Sequence, residues 1–160
     1  MDKIITLKEK VTTENSFGEE IVVWIELVKT GTEIATGTLV SGTLYQITAT
    51  EADHFGTDLV KYNTFTAAGT ETCNDNNKVK PVTLPAKVWA ERLELRGTER
   101  WNAQQVVATL TVKYRVRYRD DITAQCMLVD DADREYDLQP PIELGRKDGI
   151  ELICSVRSDS

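Results

Sequence analysis

The feature that most constrains this chain is a run of alternation from Ala108 to Arg119. Ala108, Leu110, Val112, Tyr114, Val116 and Tyr118 hold the even positions. Thr109, Thr111, Lys113, Arg115, Arg117 and Arg119 hold the odd ones. A period of two sends successive side chains to opposite faces of an extended backbone, so this stretch is a long, half-buried strand. One face must meet a core. The other is a row of cations in a chain whose formal net charge is -7. The row needs acidic company, at home or abroad.

Other stretches read the same way. Ile150, Leu152, Cys154 and Val156 alternate with Glu151, Ile153, Ser155 and Arg157. Cys126 and Leu128 lead into the acidic turn at Asp130–Asp133, and Tyr136 and Leu138 return from it, which predicts a hairpin. Ile5, Leu7 and Val11 mark a strand near the N-terminus. Ile21 to Val28 is almost continuously apolar, the pattern of a strand buried on both faces. Ala86 to Leu95, with Trp89, is a further strand.

Only one segment carries helical spacing. Gly97, Thr98 and Glu99 supply a break, a cap and an acidic first turn, and Ala103, Val106 and Val107 follow at helical intervals. A short helix is expected from about Glu99 to Gln105. Pro140 and Pro141 end the hairpin strand, and Gly145 to Gly149 form a turn. The fold class is all-β in the main: a small antiparallel barrel or sandwich with one short helix.

Between Lys29 and Pro85 the composition shifts to Thr, Gly and Asn. Tyr45 and Ile47 alternate weakly, and Phe55, Tyr62 and Phe65 are expected to cluster. The domain reading is therefore a barrel core at 1–28 and 86–160, with an inserted β-rich module or arm at 29–85.

The chain has 160 residues, 41% hydrophobic and 28% charged, which suits one folded domain or a small domain with an insertion. No run approaches the roughly 18 apolar residues of a membrane span, so no membrane partner is expected. The N-terminal stretch lacks a signal-peptide core, which points to a reducing cytoplasm. Cys73, Cys126 and Cys154 are scattered, without a CxxC pair, and read as buried thiols and not as a disulfide or zinc framework.

No constellation carries catalytic chemistry. The single histidine, His54, has Asp53 beside it in sequence but no nucleophile arranged with it. Asp130, Asp131, Asp133 and Glu135 resemble part of a calcium loop without its remaining ligands, and a solvated turn fits them better. The Cys73–Asn77 stretch reads as turn chemistry. Phosphate-binding glycine motifs are missing. No enzyme, metal or cofactor is expected.

The basic row has three readings. A nucleic-acid platform would place aromatics on the cationic face, whereas Tyr114 and Tyr118 take the other one. A solvated face would pair with nearby acids such as Glu91 and Glu94. A subunit interface would set Lys113, Arg115, Arg117 and Arg119 against Asp130, Asp131, Asp133 and Glu135 of a neighbouring copy.

Four segments in order resemble the phage head–tail joining family, also called head-closure or stopper proteins. They are "SFGEEIVVW", "VWAERLELRGTERWNAQQV", "VKYRVRYRDDIT", and the hairpin to Tyr136–Leu138 with the terminal "GRKDGIELICSV". The resemblance runs from Ile4 to Val156, interrupted by the 29–85 stretch. It implies a non-enzymatic β-barrel virion protein of the neck, assembled in the bacterial host cytoplasm. It implies a homo-oligomeric ring, six- or twelve-fold. The ring would sit between the portal or adaptor and the tail terminator or tube, closing the channel around double-stranded DNA without sequence-specific binding. Two other readings stay open: a tail-terminator or tail-tube ring protein, and a single-strand nucleic-acid-binding barrel.

Overall fold

The computed structural model describes residues 2–56, 58–93 and 111–157. The chain divides into two compact units, Met1–Leu27 with Ala86–Ser160, and Val28–Pro85. Strands are numbered along the chain.

The first unit holds β1 (Asp2–Glu14), β2 (Glu20–Glu26), β9 (Lys87–Leu93), β10 (Thr111–Val116), β11 (Met127–Val129), β12 (Glu135–Leu138), β13 (Ile142–Leu144) and β14 (Gly149–Val156). Six of them close into an antiparallel barrel in the order β1, β9, β10, β14, β12, β11 and back to β1. Closure gives each of these strands two partners and leaves no open edge along the barrel wall. The two ends of β1 are used differently. Residues 2–6 pair with β9 and residues 6–8 with β11. Residues 8–14 run on past the barrel and pair with β2 alone on that side.

The core follows from the alternation. Val112, Tyr114 and Val116 point inward from β10, Ile150, Leu152 and Cys154 from β14, Ile5 and Leu7 from β1, and Leu128 and Tyr136 from the hairpin. Each aliphatic side chain so buried stabilises the fold by roughly 1.5–3 kcal/mol. Gly149 opens β14 against the end of β10, where a Cβ would lie 3.0 Å from the Val116 carbonyl oxygen, so a larger residue there would have to ease the two strands slightly apart. Cys73, Cys126 and Cys154 are all buried free thiols.

The structure departs from the sequence expectations in three places. Ile21–Val28 is not a doubly buried strand: among the described residues β2 is an edge strand, and Ile21, Val22 and Val23 are exposed at 41%, 61% and 38%. The reason is topological, since β2 pairs with the part of β1 that has already left the barrel. Second, Pro140 and Pro141 are followed by a short edge strand, β13, that no alternation announced. Third, the 29–85 stretch has more core than its composition suggests. The helix expected at 99–105, and the strand residues 108–110, lie outside the described residues.

The second unit contains β3 (Lys29–Thr30), β4 (Gly37–Thr38), β5 (Leu44–Ala49), β6 (Thr64–Thr66), β7 (Thr72–Cys73) and β8 (Lys78–Leu84). A four-stranded sheet runs β3, β8, β5, β6, and β4 pairs with β7. Its own core holds Leu39, Tyr45, Ile47, Phe55, Ala67, Cys73 and Val79. Phe55 stacks on Phe65 at 5.3 Å, whereas Tyr62 stays outside the cluster at a backbone φ of 74°. The CNDNN turn is built on Asn74, whose side-chain oxygen accepts from the Asn76 and Asn77 amides, while fully buried Asn77 accepts from the Glu51 amide at 2.7 Å.

Candidate assembly surface

The cations of β10 are built into a charge ladder on the outside of the barrel. Arg115 stands opposite Glu91 of β9 on one side and Glu151 of β14 on the other. Residues directly opposite on neighbouring strands share a face, so the three side chains meet. Arg115 donates to Glu151 at 3.0 Å and to Glu91 at 3.5 Å. Lys113 reaches the second oxygen of Glu151 at 3.1 Å. The Arg115 guanidinium holds the Glu151 carboxyl below its ordinary value, with Lys113 adding to the effect against a partial loss of solvent.

Arg119 leaves the row altogether. β10 ends at Val116, the alternation lapses, and Arg119 turns inward to an exposure of only 6%. Its guanidinium forks onto Asp121 at 2.9 and 2.6 Å, and donates to the Leu27 carbonyl at 3.3 Å. Glu9 lies near this pair, and its carboxyl is raised, first by burial and then by the charge of Asp121. Arg117 remains exposed and makes no ion pair among the described residues.

The acidic hairpin turn is also partly engaged. Asp130 accepts from the Ala132 and Arg134 amides and from the Tyr136 hydroxyl at 2.9 Å. Burial pushes its carboxyl up, but those hydrogen bonds outweigh burial and the net shift is downward. Asp131 pairs with Lys3 at 2.6 Å. Glu135 lies 3.9 Å from Arg157. Asp133 sits exposed at the turn with a backbone φ of 58°.

Two surface features had no clear signal in the sequence. The first is a shallow cleft of about 360 Å³ in the first unit, lined among others by Trp89, Arg115, Arg117, Leu144 and the acids Asp2 and Asp148. Trp89 is 68% exposed, and its cross-strand neighbour Ile4 is 44% exposed. The second is the β1–β2 arm. Its tip is a turn organised by Asn15, which accepts from the Phe17 and Glu19 amides, and it presents Phe17 at 88% exposure. On one face of the arm Val11 stands opposite Val23 and Thr13 opposite Ile21. On the other, Trp24 is flanked by Lys10 at 5.0 Å and Arg157 at 5.2 Å.

In the second unit His54 donates from Nε2 to the Thr72 carbonyl at 2.7 Å and sits edge-on to Phe55, a structural placement for an imidazole. Among the described residues no group of three or more His, Cys, Asp or Glu is arranged to hold a metal ion. Burial pushes the Cys154 thiol up to about 12, so it is inert as a nucleophile near neutral pH.

The fold is similar to the solution structure of protein SF1141 from Shigella flexneri 2a, with a TM-score of 0.51 and 15% identity over 99% of this chain and 94% of that one. No curated protein matches the chain. The family model of the phage head completion protein matches residues 64–157, more than half of the chain, taking in β6 to β14. The chain therefore belongs to the phage head completion family, a head–tail joining family, and its role is structural, at the junction of head and tail.

Proposed function

We propose that this chain forms a closed ring in the phage neck, between the portal or its adaptor and the tail, and that the ring seals the DNA channel after packaging. The observation that carries this reading is the family match across five of the six barrel strands, all but β1, including the three that carry the charge ladder. The barrel of the first unit is the ring-forming body. The 29–85 unit is an added module on it. A six- or twelve-fold copy number follows from the resemblance, and a closed cyclic arrangement is the usual solution for identical subunits around a channel.

The outer face of β10 and the Asp130–Glu135 hairpin are proposed to stand on the two sides of the subunit contact. Lys113, Arg115, Asp131 and Glu135 already have partners in their own unit, and Arg119 and Asp130 are committed to internal hydrogen bonds. Arg117 and Asp133 are then the charges that set register between copies. Exposed pairs of this kind contribute about 0–1 kcal/mol each, so they guide orientation more than they hold the ring.

Imaging of necks isolated from assembled particles tests this. The expected result is a symmetric ring of this chain between portal and tail, and DNA loss from heads made without it. Rings that co-purify with free tails and not with heads would transfer the reading to a tail terminator. A chain that is monomeric inside isolated necks would end the ring proposal.

A further inference from the structure

The β1–β2 arm and the Trp89 cleft lie at opposite ends of one strand. β1 has 13 residues. Its first residue, Asp2, lines the cleft, and its last, Glu14, pairs with Glu20 beside the Phe17 tip. At about 3.3 Å per residue the two features are roughly 40 Å apart. The strand is continuous and hydrogen-bonded along its length, so the tip has no path back to its own cleft.

The two features also match in chemistry. The tip offers one fully presented aromatic side chain, Phe17, with Glu19 and Glu20 next to it. The cleft offers an exposed indole, Trp89, beside Leu144 and Arg117, which makes no ion pair among the described residues, with Lys87 two residues before Trp89 on the same face of β9. Asp2 and Asp148 also line it, and Glu91 lies 3.5 Å from Arg115, so the aromatic and apolar side chains carry the match and Arg117 is the cation that faces the tip. Trp and Arg together are the side chains that most often anchor protein contacts. Isolated apolar side chains on a surface need no explanation, but a knob and a socket placed at the two ends of one strand do.

We infer that the Phe17 tip of one copy seats in the Trp89–Arg117 cleft of the next copy, making a head-to-tail contact. Such a contact uses different surfaces on the two partners, so every copy keeps one free knob and one free socket until the series closes on itself. Closure gives a ring, and in this the inference rests on the ring reading above. Phe17 supplies the buried aromatic area. Arg117 meets the Glu19–Glu20 carboxylates and is drawn out of water with them.

The test uses two full-length variants, Phe17→Ala, which removes the knob, and Trp89→Ala, which removes the socket. Both side chains are largely exposed, so both variants should keep the wild-type circular dichroism and thermal transition. Native mass spectrometry across a concentration series should show self-association weakened by about thirtyfold or more in each variant alone, the range of a contact anchor. An equimolar mixture of the two retains a single productive knob–socket pair. It should give a one-to-one dimer and nothing larger. In assembled necks, a benzophenone side chain at position 17 should cross-link to a neighbouring copy on the peptide carrying Trp89. Variants that associate like wild type, or cross-links that map elsewhere while rings persist, overturn this contact and leave the ring standing. A wild-type chain that is monomeric in solution and in isolated necks overturns both.

Discussion

β10 and β2 invite comparison, because each is a strand whose exposed side chains suggest a partner. β10 is the strand of charges. It sits between two neighbours in a closed wall, and those neighbours supply Glu91 and Glu151 at the positions directly opposite Arg115. β2 is the strand of aliphatics. Among the described residues it has one neighbour, and Ile21, Val22 and Val23 remain open to solvent. The cations that look as if they seek a partner have largely found one at home, and the apolar strand that looks like core has not. A charge left exposed costs little, because water solvates it; an exposed aliphatic cluster gives up stabilisation that only another surface can supply.

The largest effects should separate the two strands by burial. Leu152→Ala, on the strand that pairs with β10, empties a site of 0% exposure and should lower stability by about 2–5 kcal/mol. Val22→Ala on β2 should change it by less than about 0.5 kcal/mol. Paired urea denaturation curves check this. A large loss at Val22 would mean that β2 is covered within the subunit and would break the comparison.

Arg119 should come next. Arg119→Ala leaves the Asp121 carboxylate half-buried and the Leu27 carbonyl without this donor, and should cost about 2–4 kcal/mol. Arg117→Ala, two residues earlier in the same run, should fall within about 0.5 kcal/mol. Equal effects at the two positions would restore a simple exposed row.

The ladder itself should have a smaller, pH-dependent effect. Glu151 and Asp130 have carboxyls held below their ordinary values in the folded state. Their contribution is therefore complete above the ordinary carboxylate value, near 4.5 for Glu151, and is lost as pH falls through the lowered folded value. Thermal melts of wild type should drop as the solution is acidified below that range. Glu151→Gln should melt lower at neutral pH by an amount worth about 1 kcal/mol, and should show a shallower acid dependence. An unchanged acid slope in the variant would remove Glu151 from the ladder.

The smallest effect is expected from replacing Val28–Pro85 with a short Gly/Ser linker. The two backbone hydrogen bonds of Leu7, one from the Leu27 amide and one to the Ala86 carbonyl, bring the two ends of the cut to the same side of one strand. They lie within about one inter-strand spacing, roughly 5 Å, of each other, which a few residues can span. The barrel should keep one cooperative thermal transition. Its loss would show that the second unit is required for the first to fold.

What was readable in the sequence was what periodicity fixes. The alternation through Val112–Val116 and Ile150–Cys154 assigned the inward face of both strands, and the Asp130–Asp133 turn located the hairpin. Periodicity could not say where the barrel closes, and so Ile21–Val23 looked buried when the closure point leaves them outside. It also could not show where β10 stops: Arg119 keeps the parity of the row but lies beyond Val116, where the backbone turns it into the interior. β13 is too short to show a period. In the second unit the core is assembled from single residues on or just past short strands, such as Leu39, Ala67 and Cys73, a pattern too sparse to see along the chain. The cleft joins residues from β1, β9, β10 and the Leu144–Gly149 turn, and no linear signal connects them.

Leu7 has one more consequence, a mechanical one. It donates its amide to the Ala86 carbonyl and accepts the Leu27 amide at its own carbonyl, each at 2.9 Å, so the chain leaves for the Val28–Pro85 unit and returns from it beside one residue. Any tension applied to that unit enters the barrel through Leu27, at the end of β2, and Ala86, at the start of β9, both tied to Leu7. The side chains of Leu7, Leu27 and Ala86 are all buried, so a tug on the appended unit is met by packed interior at both of its covalent ends.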